Sequence, residues 1–220
     1  MVQPDEIIRS NRKTLAISID CDNRLVVRAP YRCGKERIFA FIQEKEQWIL
    51  RKKAERAQSA IDLPGDNLDG YAFLLLGEKC TIFLTDEKYI RYDQNAKKLF
   101  LPTKDTKKRL VQWLKENAMR ILTPLTGQTA ERMQTSYKSV TISHARTKWG
   151  SCSFDNAIRY SYRLLYAPKD VIEYVVLHEL AHTKHKNHSP RFWSEVEKYM
   201  PDWKQKRAWL KQHGSLMQIF

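Results

Sequence analysis

The stretch Val175 to Trp193 reads V-V-L-H-E-L-A-H-T-K-H-K-N-H-S-P-R-F-W and holds four of the chain's six histidines. Just upstream, Pro168, Asp170 and the apolar Val171, Ile172, Val175, Val176 and Ala181 predict a helix that opens at a proline, carries acid in its first turn and buries one face. His178 and His182 stand four apart on that helix, with Cβ atoms about 5–6 Å apart, so two imidazoles can reach one ion without bending the backbone. Glu179 is turned about 100° round the helix. It is poorly placed as a third ligand in the same plane but can reach a water on an ion's open side. The pattern is H-E-x-x-H, as zinc hydrolases use it.

A third ligand is expected from His188. It follows His182 by six residues, and the Ser189-Pro190 pair after it reads as the N-cap and first residue of another helix. The chain must then leave the first helix between Lys184 and Asn187 and turn, which can carry His188 back over the ion. His185 competes, three residues beyond His182 on the ligand face, but it falls a turn further along and reads as a residue behind the ligands or facing solvent. Glu195 and Glu197 on the following helix rank below it. A closed structural zinc site would need a fourth protein ligand, usually cysteine, and only Cys152 comes into question; a glutamate beside the first ligand would have no purpose there.

The composition bounds the rest. The 220 residues suffice for one core with a smaller layer appended, and a chain 42% hydrophobic and 29% charged is that of a globular protein. No apolar run is long enough for a membrane span, and M-V-Q-P-D-E does not open like a secretory signal, so a cytoplasmic protein without membrane contact is expected. Cys21, Cys33, Cys80 and Cys152 show no C-x-x-C spacing, which suits reduced thiols. The net charge of +14 is uneven: residues 101–150 carry ten basic and three acidic residues, 61–100 five and seven. With no nucleic-acid motif beside it, that excess implies at most weak, salt-sensitive, sequence-independent contact with nucleic acid.

Along the chain, Leu15, Ile17 and Ile19, a turn at Asp22-Asn23, then Leu25 and Val27 read as a β-hairpin. Ile38, Phe41, Ile42 and Ile49 mark one helix running to about Arg56, and Leu63 to Gly70 is the best linker. Tyr71 to Leu84, broken at Gly77, reads as a second hairpin, and Leu99 to Leu101 as a short strand. From Asp105 to about Tyr137 an apolar face of Leu110, Trp113, Leu114, Ala118, Ile121 and Leu122 predicts two helices or one kinked helix, with Pro124 and Gly127 as the breaks. Val140 to Ser143 and Ala157 to Arg163 read as strands, with Gly150 permitting a tight turn between them. Helices near Phe192 to Tyr199 and Trp203 to Leu210 close the chain.

The ligand stretch, preceded by T-K-W-G-S-C-S at Thr147 to Ser153, resembles the YgjP-like family of zinc-dependent metallopeptidases, related to SprT-like proteins. R-K-T-L near Arg12, V-R-A-P near Arg28 and W-I-L near Trp48 extend the likeness over most of the chain. The elements read as an α+β fold, with an amino-terminal β-rich extension at 1–102 carrying one helix and a domain at 103–220, for which the resemblance implies a zincin-like metallopeptidase core. It implies zinc on His178, His182 and His188, Glu179 as general base, a peptide or protein substrate, and an exposed edge strand on which that peptide is laid. Zinc lowers the pKa of a water it binds from about 15.7 to about 7 in the best-known sites, and Glu179 would carry its proton to the leaving amine. Tyr160, Tyr162, Arg163, Tyr166 and His185 are the candidates for stabilising the oxyanion. Two other readings remain: a non-peptide amide or ester hydrolase using the same chemistry, and a basic scaffold or nucleic-acid-binding protein with structural zinc.

Overall fold

The computed structural model describes residues 2–20, 23–58 and 65–220, with side chains at 55–58 excepted. Cys21, Asp22 of the hairpin turn, the Arg56 side chain and the Leu63-Pro64 start of the linker lie outside the described residues. The fold is α+β, in two compact units, Met1–Asp62 and Leu63–Phe220.

In the amino-terminal unit, β1 (Glu6–Ser10), β2 (Ala16–Ile19) and β3 (Leu25–Pro30) form a sheet with β3 central. β2 and β3 are the expected antiparallel pair, and β1 adds a parallel strand that the pattern search missed. Leu25, Val27 and Ala29 alternate onto one face of β3 and meet Ile38, Ile42 and Ile49, where period 2 faces period 3.6. The expected single helix is two, α1 (Lys35–Glu44) and α2 (Glu46–Gln58). Lys45 interrupts it with φ −99° and ψ 7°, its N–H shared between the Phe41 and Ile42 carbonyls. Neither glycine nor proline marks the break, so no local signal announced it.

The carboxy-terminal unit begins with a four-stranded sheet of β4 (Ala72–Leu75), β5 (Glu78–Thr85), β6 (Arg91–Asp93) and β7 (Lys98–Pro102), in the order β4-β5-β7-β6. Here the grouping departs from the 1–102 and 103–220 division. β7 packs on α3 (Thr106–Arg132), and the β4–β5 turn is bound to the segment before the histidine helix, Leu76 N donating to Leu165 O at 2.6 Å. Gly77 in that turn has φ +81°, and a Cβ there would stand 2.8 Å from Pro168 Cα, so glycine is required on both counts.

α3 is one helix of 27 residues with Pro124 inside it, the single-helix form of the two that were expected. Leu110, Leu114 and Leu122, each worth about 1.5–3 kcal/mol when fully buried, together outweigh the roughly 3 kcal/mol an interior proline costs. Beyond α3, β8 (Ser139–Ser143), β9 (Gly150–Cys152) and β10 (Ala157–Ser161) form a sheet in the order β8-β10-β9. β10 is parallel to β8 and antiparallel to β9, an edge strand too short for a pattern search. The chain then makes a 3₁₀ turn at Tyr162–Tyr166 and enters α4 (Lys169–Lys184), followed by α5 (Pro190–Tyr199) and α6 (Trp203–Gln212). α4 lies among α3, α5, α6 and β9. Among the described residues, no helix is long and apolar enough to cross a membrane.

Candidate metal centre

α4 carries its apolar residues on nearly every face, because α3, α5, α6 and β9 surround it; Val171, Ile172, Val175, Val176, Leu177, Leu180 and Ala181 are all buried. His178, Glu179 and His182 therefore project from a helix that cannot turn to relieve them. The helix stops at Lys184. His185 takes extended backbone, φ −132° and ψ 102°, and the chain turns back before Ser189 and Pro190 open α5 as expected.

That return brings the three predicted ligands together. One ring nitrogen from each of His178, His182 and His188 lies within 4.8 Å of the others. His188 Nε2 is 3.1 Å from His178 Nε2, near the separation of about 3.3–3.4 Å that two nitrogens 2.0–2.1 Å from a tetrahedral ion would have. His182 Nδ1 lies 3.0 Å from the His185 carbonyl oxygen, which can only accept, so Nδ1 carries the proton and Nε2 keeps its lone pair for the cluster. His185 thus acts through its main chain, on the His182 ring. Neither glutamate alternative joins the cluster: Glu195 pairs with Lys184 at 2.6 Å, and Glu197 is exposed.

Aromatic rings line the triad. The Phe192 ring is centred 4.5, 4.8 and 4.9 Å from those of His182, His188 and His178. Trp193 stacks on His188 at 5.5 Å, Trp203 stacks on Trp193 at 4.2 Å, and the Arg207 guanidinium sits 5.0 Å from the Trp193 centroid. Burial pushes the His178 imidazolium down to about 3, helped by His182, His188 and Arg207, so its ring is neutral at physiological pH. Three imidazoles gathered at one place are a donor set for a borderline-soft cation, and they fit zinc.

Glu179 is only 5% exposed. Burial pushes its carboxyl up to about 8, against a small opposing pull from Lys148, so an adjacent cation is what would hold it ionised at neutral pH. Gly150 has its reason here. A Cβ on it would stand 2.7 Å from Glu179 Oε1 and 2.8 Å from Cγ. Its φ is not positive, so the tight-turn role expected from the sequence is replaced by close approach of Gly150, in β9, to the glutamate.

The oxyanion candidates fare differently. Tyr160 bonds Thr126 at 3.1 Å, Tyr162 donates to the Phe220 carbonyl at 2.9 Å, and Tyr166 reaches the Ile219 carbonyl at 3.4 Å. Arg163 donates to the carbonyls of Ile219, His144 and Phe220. These four side chains are buried and committed elsewhere, Tyr160 to α3 and the other three to residues 219 and 220, so the structure removes them from the list. The sequence reading passed over Tyr174, four residues before His178, with its hydroxyl 3.5 Å from His178 Nδ1. The i, i+4 relation on a known helix was the available signal.

An H-E-x-x-H helix in an α+β unit, with a third histidine returned by the following loop, defines the class of metal-dependent hydrolases. The comparisons narrow it. Residues 13–213 match the family described as YgjP-like, metallopeptidase domain, and the chain belongs to that family. Among solved structures it is similar to the metallopeptidase zymogen abylysin of Pyrococcus abyssi, at 24% identity over 42% of this chain and 94% of that one, TM-score 0.39. It is similar also to the metallopeptidase zymogen jannalysin of Methanocaldococcus jannaschii, at 20% identity over 41% and 94%, TM-score 0.38. No match is found among curated proteins.

Proposed function

We propose that this member of a metallopeptidase family is a zinc-dependent peptidase with a zincin-like core, in which His178, His182 and His188 hold the metal and Glu179 is the general base. The observation that carries the reading is the convergence of the three imidazoles beside a buried glutamate pressed against an edge strand. Zinc, when bound there, supplies a Lewis acid that acidifies water and polarises a carbonyl. Glu179 takes the proton of the attacking water at a carboxylate oxygen and delivers it to the departing amine nitrogen. The His185 carbonyl keeps His182 in the tautomer that presents Nε2. β9, at the sheet edge beside Glu179, offers its free main-chain groups to an extended peptide, so substrate is held by backbone pairing. Phe192 and Trp193 keep bulk water from one side of the ligands. Free thiols at Cys33, Cys80 and Cys152 fit action in the cytoplasm. The family match lends no support to nucleic-acid contact.

The deciding experiment compares wild type with Glu179→Gln on a peptide-library or unfolded-protein substrate, with zinc measured in both. The amide keeps the shape and removes the proton acceptor, so turnover should fall by about 10²–10⁴ with one zinc per chain and the fold retained. Equal, low turnover in both proteins on peptides, amides and esters, with zinc bound, would favour the structural-zinc scaffold. Ester or amide turnover without peptide cleavage would favour the non-peptide hydrolase.

A further inference from the structure

The loop that delivers His188, between Lys184 and Pro190, is held from two sides. One hold is the His182 ring on the His185 carbonyl. The other is Lys186. Its ammonium donates to the Ser153 carbonyl at 2.9 Å and to Asn156 Oδ1 at 2.5 Å, and lies 5.8 Å from the Phe154 ring centroid. Lys186 is two residues before His188, and the acceptors belong to the turn between β9 and β10, the hairpin whose Gly150 abuts Glu179.

The receiving turn is itself fixed. Ser153 and Ala157 exchange main-chain and hydroxyl bonds at 2.9–3.0 Å, the Ser153 hydroxyl donates to Asp155 at 2.6 Å, and Lys138 pairs with Asp155 at 2.5 Å. Asn156 has φ 64°, a left-handed conformation that asparagine tolerates better than most residues and that completes the turn. A cation with three donors meets a carbonyl, an amide oxygen and an aromatic face on a rigid support, where a solvated surface lysine would have none. The Phe154 ring is 90% exposed, which leaves the two oxygens to provide most of the grip.

We propose that Lys186 is a positioning residue, which clamps the His185–Ser189 loop to the β9–β10 turn and so fixes His188 relative to His178, His182 and Glu179. The proposal rests on the three-histidine zinc reading. A loosened loop leaves His178 and His182 on their helix and lets only the third imidazole wander, so the loss should appear in metal retention and coordination symmetry, with fold stability spared.

The test uses the full chain and two substitutions on opposite sides of the contact, Lys186→Met and Asn156→Gly, the glycine accepting the positive φ. Zn²⁺ and Co²⁺ affinities are measured by chelator competition, the Co²⁺ visible spectrum records coordination, and the metal-free proteins are melted. Each variant should bind about three- to tenfold more weakly, a partly exposed charged hydrogen bond being worth no more. The double variant should lose no more than either single one. The tetrahedral Co²⁺ bands should weaken or shift while metal-free melting stays at the wild-type value. Wild-type affinity and spectrum in Lys186→Met, or losses that add in the double variant, would overturn the clamp. If wild type itself takes up no metal, the three-histidine reading fails first, and the clamp falls with it.

Discussion

The carboxy-terminal unit holds two dense polar clusters, and they are built on opposite principles. Around Arg163 donors and acceptors pair within the chain: its guanidinium reaches the carbonyls of His144, Ile219 and Phe220, and Tyr160, Tyr162 and Tyr166 end on Thr126 or on the last two residues' carbonyls. Around His178 the arrangement is convergent. Three imidazoles bring a ring nitrogen each to one place, with a carboxyl pushed up by burial beside them. Polar groups gathered in so little water are retained at a cost in stability, which a bound cation would offset. The density of polar residues therefore says little about function, whereas the sign and direction of their free valences say a great deal. From sequence alone the two clusters looked alike enough that tyrosines and an arginine of the first stood, with His185, as candidates for the chemistry of the second.

The contrast can be broken by exchange of effects. The largest is expected at His188: alanine there should abolish stoichiometric zinc, read by metal analysis of the purified protein, because two imidazoles on one helix turn leave the ion without its third protein ligand. Next, Arg163→Met should lower the unfolding free energy by about 3 kcal/mol, since buried carbonyls lose charged donors and methionine returns only packing. Denaturant melting measures it, and zinc per folded chain should not change. Loss of zinc with an intact fold in Arg163→Met would show that the two clusters are coupled after all.

A smaller effect is expected at Gly150. Alanine would put a methyl 2.7 Å from Glu179 Oε1, and the carboxyl must shift by several tenths of an ångström. Turnover should fall about tenfold, a 1.4 kcal/mol change in the barrier, with zinc retained. Undiminished turnover would mean that Glu179 has room the packing does not suggest. The smallest is His185→Ala. Its contribution is a main-chain carbonyl that alanine also has, so zinc content should match wild type, and loss of metal there would transfer the third-ligand role from His188.

The histidine helix, its i, i+4 pair, the proline-opened α5 and the approximate α+β composition were legible because each rests on local periodicity or on a cap residue, which sequence states directly. Lys45 and β9 were not, and the choice between one helix and two at α3 was left open. A helix break without glycine or proline, a three-residue edge strand, and an interior proline overruled by burial are all decided by partners distant in sequence. The domain boundary moved for the same reason, since β4 to β7 look self-sufficient as hairpins and only their packing on α3 and the Tyr162–Tyr166 turn assigns them.

At the site the division is similar. Sequence determined which side chains can bind a metal and which carboxyl stands next to them, because covalent spacing on a helix fixes their directions. Tertiary structure alone decided that the His188 ring meets those of His178 and His182 while His185 turns its carbonyl to His182, that Gly150 yields its volume to Glu179, and that Tyr162, Arg163 and Tyr166 secure residues 219 and 220. Those outcomes depend on where a loop and a strand far apart along the chain come to rest, and short-range pattern carries no information about such distances.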